Sequence, residues 1–268
     1  MKIDGRQIAK GILDDLKEKI AKQNIKPHLA IIIIGNDPAS LTYVKQKQIK
    51  AEEIGVKTTL INLDTNINQE ELLKIINQYN NDSLVNGIIV QKPLPNNIDN
   101  NIVNLAIDPK KDIDGFNPNS KFESPIGLSV LEVLKEIFND LNILKNKNIV
   151  ILGKGETGGK PIMQTLIKLN ANPIVIDSKT QNPKSITINA DIIISAVGKK
   201  EIINSDMLKK GTVLIGAGQH MEEDGQLHGD YDEESIKKIV SFYTPTPGGI
   251  GPINVSMLLK NLFDASTV

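Results

Sequence analysis

The sequence contains no cysteine. That single absence excludes disulfides, thiolate nucleophiles and cysteine-ligated metals together. Histidine is nearly as scarce: His28, His220 and His228 form no HExxH-type pair, and no zinc site is expected. Neither sign of charge dominates, since 31 basic and 32 acidic residues leave a net charge of -1. With no polybasic run, nucleic acid has no electrostatic footprint to bind. Long apolar runs are missing too. The longest, LAIIIIG, is far too short to span a bilayer. The opening MKIDGRQIAK lacks the apolar stretch of a signal peptide, so the expected location is the cytoplasm. What remains is an ordinary globular composition, 40% hydrophobic and 24% charged over 268 residues, enough for one large or two ordinary domains.

Apolar and amphipathic runs alternate from end to end, the pattern of βαβ units around a parallel sheet. Ile8, Ile12, Leu16 and Ile20 recur at helical spacing and predict an opening helix. LAIIII (29–34) is short and β-branched, which predicts a strand buried on both faces. A helix over 38–54, a strand near TTLINL, a helix carrying Leu72, Leu73, Ile76 and Tyr79, and a strand GIIVQ (87–91) follow. Asn, Asp, Pro and Lys then crowd 96–121, predicting a short helix and a functional loop near a domain boundary. A helix over 125–138 opens a second series, with strands at 148–152, 173–177, 191–196, 212–217 and 240–243.

Three stretches carry possible chemistry. VILGKGETGGKP joins a strand ending at Leu152 to a helix expected from about Lys160, and Gly153, Gly155 and Gly158 fit G-x-G-x-x-G. Asp177 ends the next strand. This is the context of a dinucleotide site, with a tight turn, close approach to pyrophosphate and a helix N-terminus facing the anion. The plainer alternative is a turn that lets helix and sheet pack. Asp177 suits the adenosine ribose hydroxyl of NAD, whereas Lys154, Ser178 and Lys179 suit the 2′-phosphate of NADP, so the nucleotide stays open. In PASLTYVKQKQIKAEEIG, Tyr43 and Lys47 share one helix face. A lysine desolvated beside an aromatic suits acid–base work, although a snorkelling surface lysine gives the same spacing. The third stretch, PTPGGIGP (245–252), packs three prolines and three glycines into one constrained path.

GNDPASLTYVKQK, GIIVQKPLP, PKKDIDGFNP, SPIGL, GKGETGGKP and PTPGGIGP occur in this order. Together they resemble the bifunctional methylenetetrahydrofolate dehydrogenase/cyclohydrolase family over nearly the whole chain. The resemblance implies an α/β fold of two domains flanking a cleft, the second a Rossmann-like parallel sheet. The folate domain would hold residues 1–120 plus 248–268, and the NAD(P) domain 121–247. It implies oxidation of 5,10-methylenetetrahydrofolate with NAD(P)⁺, then hydrolysis of the methenyl cation to 10-formyltetrahydrofolate. Lys47 resembles the catalytic lysine, Gln91 the glutamine that holds and tunes it, Tyr43 the aromatic stacked on folate, and Asp114 the carboxylate that binds the pterin. Asp112 is expected to fix the loop. Pro247, Gly248 and Gly249 would form one wall of the substrate cleft. Gly153, Lys154, Gly155, Gly158, Gly159, Asp177 and Ser178 would bind the nucleotide, expected to be NADP with NAD as the alternative. No metal is required, and a homodimer is implied.

The chain departs from the family pattern in places. Where the nucleotide loop usually reads G-R-S-x-x-V-G-x-P, Lys154, Gly155 and Gly158 replace its arginine, serine and valine. Asp177 replaces a common histidine, Gly216 an aspartate, and Asn254 a threonine. These changes fall on the dehydrogenase side and leave the cyclohydrolase residues intact. The alternatives to be weighed are therefore a cyclohydrolase with a decayed dehydrogenase and a nucleotide sensor without catalysis.

Overall fold

Both runs of alternating segments fold into parallel sheets in a computed structural model that describes residues 1–222 and 226–267. The first run gives α1 (Gly5–Gln23), β1 (His28–Ile34), α2 (Pro38–Glu53), β2 (Lys57–Leu63), α3 (Gln69–Asn81), β3 (Gly87–Val90) and α4 (Asn100–Ala106). The second begins with α5 (Pro125–Phe138), β4 (Ile149–Leu152), α6 (Gly159–Lys168), β5 (Ile174–Ile176), α7 (Pro183–Thr187) and β6 (Ile192–Ser195). It closes with β7 (Val213–Gly216), β8 (Gln219–Met221), β9 (Leu227–Gly229), α8 (Glu233–Ile236), β10 (Phe242–Tyr243) and α9 (Ile250–Ser266). The chain divides into two compact units, one of Lys10–Pro125 with Val255–Val268, the other of Met1–Ala9 with Ile126–Asn254.

In the unit of Lys10–Pro125, the strands order β2-β1-β3, all parallel. The central strand β1 is buried at every position, as its unbroken apolar run requires. Its residues alternate between two cores. Leu29, Ile31 and Ile33 pack with Leu13, Leu16 and Ile20 of α1 and Leu258, Leu259 and Leu262 of α9. Ala30, Ile32 and Ile34 pack with Leu72 and Ile76 of α3 and Val103 of α4. The edge strand β2 keeps a half-exposed pattern. Helix starts are fixed locally. The Asp37 side chain accepts from Ser40 N at 2.8 Å ahead of Pro38, and Asn68 and Glu71 form a reciprocal capping box on α3; each cap contributes ~1 kcal/mol.

The other unit has a five-stranded parallel sheet ordered β10-β7-β6-β4-β5. Its core gathers Val150, Leu152, Ile176, Ile193 and Leu214 with Ile236 and Tyr231. The N-terminal segment joins this unit, Ile3 N donating to Tyr243 O at 2.9 Å. Element ends differ slightly from the sequence reading. β3 stops at Val90 and β5 at Ile176, so Gln91 and Asp177 each lie just beyond a strand end. Only Phe242–Tyr243 of the segment 240–243 is strand. The antiparallel pair β8–β9 is an addition to the sequence reading. Its strands are too short, and too polar in QHM and LHG, to show a period.

Candidate active site

Lys47 lies on α2 and is buried, 9% exposed. Its Nζ donates to Gln91 Oε1 at 2.9 Å. The parallel register makes this contact possible: Gln91 follows β3, and its backbone N donates to Ile32 O of β1 at 2.8 Å. The amide is oriented from the other side, because Gln91 Nε2 donates to Lys92 O at 2.8 Å. With Nε2 turned to Lys92 O, the amide presents its oxygen to Lys47. Burial pushes the Lys47 pKa down from the ordinary lysine value, with the negative charge of Asp114 opposing. Tyr43, one turn earlier on the same helix, is half-buried, and burial pushes its phenol up to about 12.

Asp114 stands in the turn after α4. Burial raises its pKa, while the cations Lys47 and Lys92 work to lower it. The structure thus brings Lys47, Gln91 and Asp114 together electrostatically from three separate segments of one unit. Asp112 is 1% exposed and accepts from Asn117 N through Oδ2 at 2.7 Å. Its carboxyl is pushed up to about 7, chiefly by burial. Ser120 Oγ donates to Asp112 O at 2.9 Å, so this residue organises the turn. Gly115 at φ +69° completes it, since a Cβ there would come 2.6 Å from Phe122 O. Two contributors escaped the sequence reading. Asn261 of α9, 4% exposed, donates to Ile113 O at 2.8 Å and Glu123 O at 2.9 Å, pinning both sides of the Asp114 turn. Lys92 sits 4.1 Å from the centroid of the Phe116 ring.

In the other unit, the glycine loop runs from β4 to α6. Gly153 has φ +95°, and a Cβ on it would lie 2.6 Å from Ala196 O. Gly159, not Gly158, is the glycine of close packing: its Cβ would lie 1.8 Å from Gly153 O, against 3.3 Å from Ala196 Cβ for Gly158. Gly155 has nothing within 4 Å of its Cβ position, so backbone is accessible to a ligand there. Asp177 holds an ion pair with Lys154 and accepts from Lys179 N at 2.9 Å. The Lys154 hydrogen bond, foremost, keeps its carboxyl below the ordinary range. Ser178 is exposed in the turn after Asp177. An open backbone at Gly155 ahead of a helix N-terminus, with a carboxylate at the next strand end, fits a dinucleotide.

The sequence reading also missed Asp230, which is 0% exposed. It accepts from Ser195 Oγ at 2.5 Å and Val197 N at 3.0 Å through Oδ2. Through Oδ1 it accepts from Gly198 N at 2.7 Å and Lys199 N at 2.9 Å. It thereby fixes the loop after β6, whose Ala196 lies against Gly153 and Gly158. At Gly216 the space a side chain would take is filled by Tyr231, whose ring lies 3.0 Å from the Cβ position. Tyr231 in turn donates to Thr244 O at 2.5 Å.

Pro247, Gly248 and Gly249 form the turn before α9. That helix begins at Ile250. Gly248 has φ +103°, with Arg6 packed 3.3 Å from its Cβ position. A Cβ on Gly249 would lie 2.5 Å from Pro245 O, and one on Gly5 only 1.9 Å from Gly249 O. The chain's own packing therefore accounts for these two glycines. Gly251 is uncrowded, its nearest neighbour being Gln219 Nε2 at 3.8 Å. Among the described residues, no group of histidine and carboxylate side chains is placed to hold a metal ion, and no helix is long and apolar enough to cross a membrane.

Comparison with known proteins agrees across both units. The tetrahydrofolate dehydrogenase/cyclohydrolase catalytic domain matches residues 3–114, and the NAD(P)-binding domain of the same family matches 125–268. The chain is 38% identical to the bifunctional protein FolD of Lactococcus lactis subsp. cremoris over 99% of its own length and 96% of the relative's. The crystal structure of the bifunctional enzyme FolD from Campylobacter jejuni superposes with a TM-score of 0.93 at 36% identity, covering 100% of this chain and 98% of that one. A Trypanosoma brucei methylenetetrahydrofolate dehydrogenase-cyclohydrolase, solved with NADP and an inhibitor, gives 0.92 at 30% identity, covering 100% and 97%. The chain belongs to the tetrahydrofolate dehydrogenase/cyclohydrolase family and is a bifunctional, NAD(P)-dependent folate enzyme.

Proposed function

We propose that Lys47 is the general base of the cyclohydrolase step, held by Gln91, with Asp114 binding the pterin and Tyr43 stacking on the folate. The observation that carries this is the hydrogen bond from a buried lysine to an oriented amide, 2.9 Å from Nζ to Oε1. An uncharged amine does not repel the methenyl cation and can take a proton from water. Water adds to the one-carbon bridge as Lys47 Nζ accepts its proton. The bridge then opens as the C–N5 bond breaks and the carbinol C–O becomes the formyl C=O on N10; Lys47 returns its proton to N5, and the hydroxyl proton leaves to solvent. Asp114, an acceptor when ionised, suits the donor-rich edge of the pterin. A nucleotide sensor has no use for this set, so catalysis is the better reading.

The nucleotide is held, in this reading, by Gly153, Lys154, Gly155, Gly158 and Gly159, with Asp177 and Ser178 at the adenosine ribose. When bound, NAD(P)⁺ supplies the hydride acceptor for the dehydrogenase step. Pro247, Gly248 and Gly249 remain the proposed substrate-side turn. Residues 1–120 plus 248–268 are proposed as the folate domain and 121–247 as the NAD(P) domain. We place the protein in the cytoplasm as a homodimer. Edge strand β5 supports the dimer, because its Ile174 and Ile167 of α6 are 51% and 52% exposed. A Lys47→Met variant tests the mechanism: it should lose methenyltetrahydrofolate hydrolysis, and wild-type hydrolysis would refute the role.

A further inference from the structure

The Lys47 site contains a second lysine whose role no spacing announces. Lys92 follows Gln91 directly, so the strand end that supplies the amide also supplies a cation. Its Nζ is buried and lies 4.1 Å from the centroid of the Phe116 ring. A ring face at that distance stabilises an amine in its charged form. Phe116 belongs to the Asp114 turn, so the ring brings the ammonium to the segment that carries the carboxylate. The Lys92 carbonyl also takes the Gln91 Nε2 hydrogen bond at 2.8 Å. The charged and titratable groups around this centre are few. Asp114 faces Lys47 from the turn, and Tyr43 shares its helix. Facing Asp114 are Lys47, Lys92 and, in the same turn, Asp112.

A carboxylate in such a place stays ionised only if a cation compensates it. If Lys47 were that cation, it would be protonated and could not act as a base. We propose that Lys92 is a positioning residue of this site: its ammonium, seated on Phe116, is the counter-charge of Asp114, which leaves Lys47 uncharged to accept a proton from water. The inference rests on the reading of Lys47 as the base. It explains why Asp114 faces two amines, of which Lys47 is the one hydrogen-bonded to the glutamine oxygen. The direction of Lys47, lowered by burial, and the opposing influence of Lys92 on Asp114 agree with it.

The test is the pH dependence of hydrolysis. The active state has Asp114 ionised and Lys47 neutral. Removing a nearby positive charge raises the proton affinity of that pair, whichever member takes the proton. kcat/KM for methenyltetrahydrofolate hydrolysis is measured against pH with the full chain, after subtracting the uncatalysed rate. The variants are Lys92→Met, Lys92→Gln, Lys92→Arg and Lys47→Met, each checked for folding by thermal unfolding. Lys92→Met and Lys92→Gln should move the acid limb up by about one pH unit with the high-pH plateau kept. Lys92→Arg, which keeps the charge, should hold the wild-type limb. A wild-type limb in either folded neutral variant, with or without a lower plateau, overturns the proposal, as does an equal shift in Lys92→Arg. Lys47→Met hydrolysing at the wild-type rate would instead overturn the reading of Lys47, and the Lys92 proposal with it.

Discussion

Replacing Asp230 by alanine strips four hydrogen bonds from one buried carboxylate. Three of the donors are consecutive backbone N–H groups of Val197, Gly198 and Lys199, and the fourth is the Ser195 hydroxyl. With Asp230 at 0% exposure, solvent does not reach the vacated donors without rearrangement. Each buried donor left unpaired costs roughly 1–3 kcal/mol, giving about 4–12 kcal/mol if none relaxes. Backbone adjustment and water entry reduce this, so the expected loss is ~4 kcal/mol, in line with losing one partner of a buried charged network. The functional consequence is selective. The loop that Asp230 holds walls the glycine loop, Ala196 O lying 2.6 Å from the Gly153 Cβ position. Asp230→Ala should therefore raise the KM for NAD(P)⁺ at least tenfold, while methenyltetrahydrofolate hydrolysis, proposed for the other unit, keeps its rate at a temperature where the variant is folded. Urea unfolding reads the stability, and the two activities are followed in one spectrophotometric assay. A loss below ~1 kcal/mol together with an unchanged nucleotide KM would refute the reasoning, since that is less than one unpaired donor.

Other outcomes follow from the same geometry. Asp177→Ser removes the carboxylate and releases Lys154 from its ion pair; the NADP⁺ to NAD⁺ ratio of kcat/KM should rise at least tenfold, and an unmoved ratio would separate Asp177 from nucleotide choice. Gly159→Ala puts a Cβ 1.8 Å from Gly153 O, so dehydrogenase activity should collapse, with ~3 kcal/mol lost through overpacking. Gly155→Ala meets nothing within 4 Å and should change stability by less than ~0.5 kcal/mol; thermal unfolding of the two variants side by side checks the contrast.

Much of this was legible in the sequence because it rests on local period. The unbroken run of β1 announced a strand buried on both faces, and the spacing of α1 and α2 announced helices. The glycine loop declared a strand–loop–helix junction, yet not which glycine does the packing. Gly158 and Gly159 look alike in sequence, and only the placement of Gly153 O distinguishes them. Lys47 and Gln91 meet because β1 and β3 pair in a given register, which spacing cannot report; resemblance to known proteins supplied that pair. Asp230, Asn261 and Lys92 were missed for a related reason. Each acts on backbone or charge distant in sequence, and none sits in a pattern that a single strand or helix would display. The constrained path of PTPGGIGP was visible at once. That Gly249 is crowded by the chain's own Pro245, and Gly5 in turn by Gly249, needed the fold.

The central claim is that a buried, uncharged Lys47 held by Gln91 performs the hydrolytic step. The most direct measurement is the steady-state rate of methenyltetrahydrofolate hydrolysis by Lys47→Met near neutral pH, followed by loss of the methenyl chromophore against the uncatalysed blank. The account predicts a fall of at least about 10²-fold, the usual contribution of a general base, with the unfolding midpoint retained. Hydrolysis at the wild-type rate by the folded variant would contradict it.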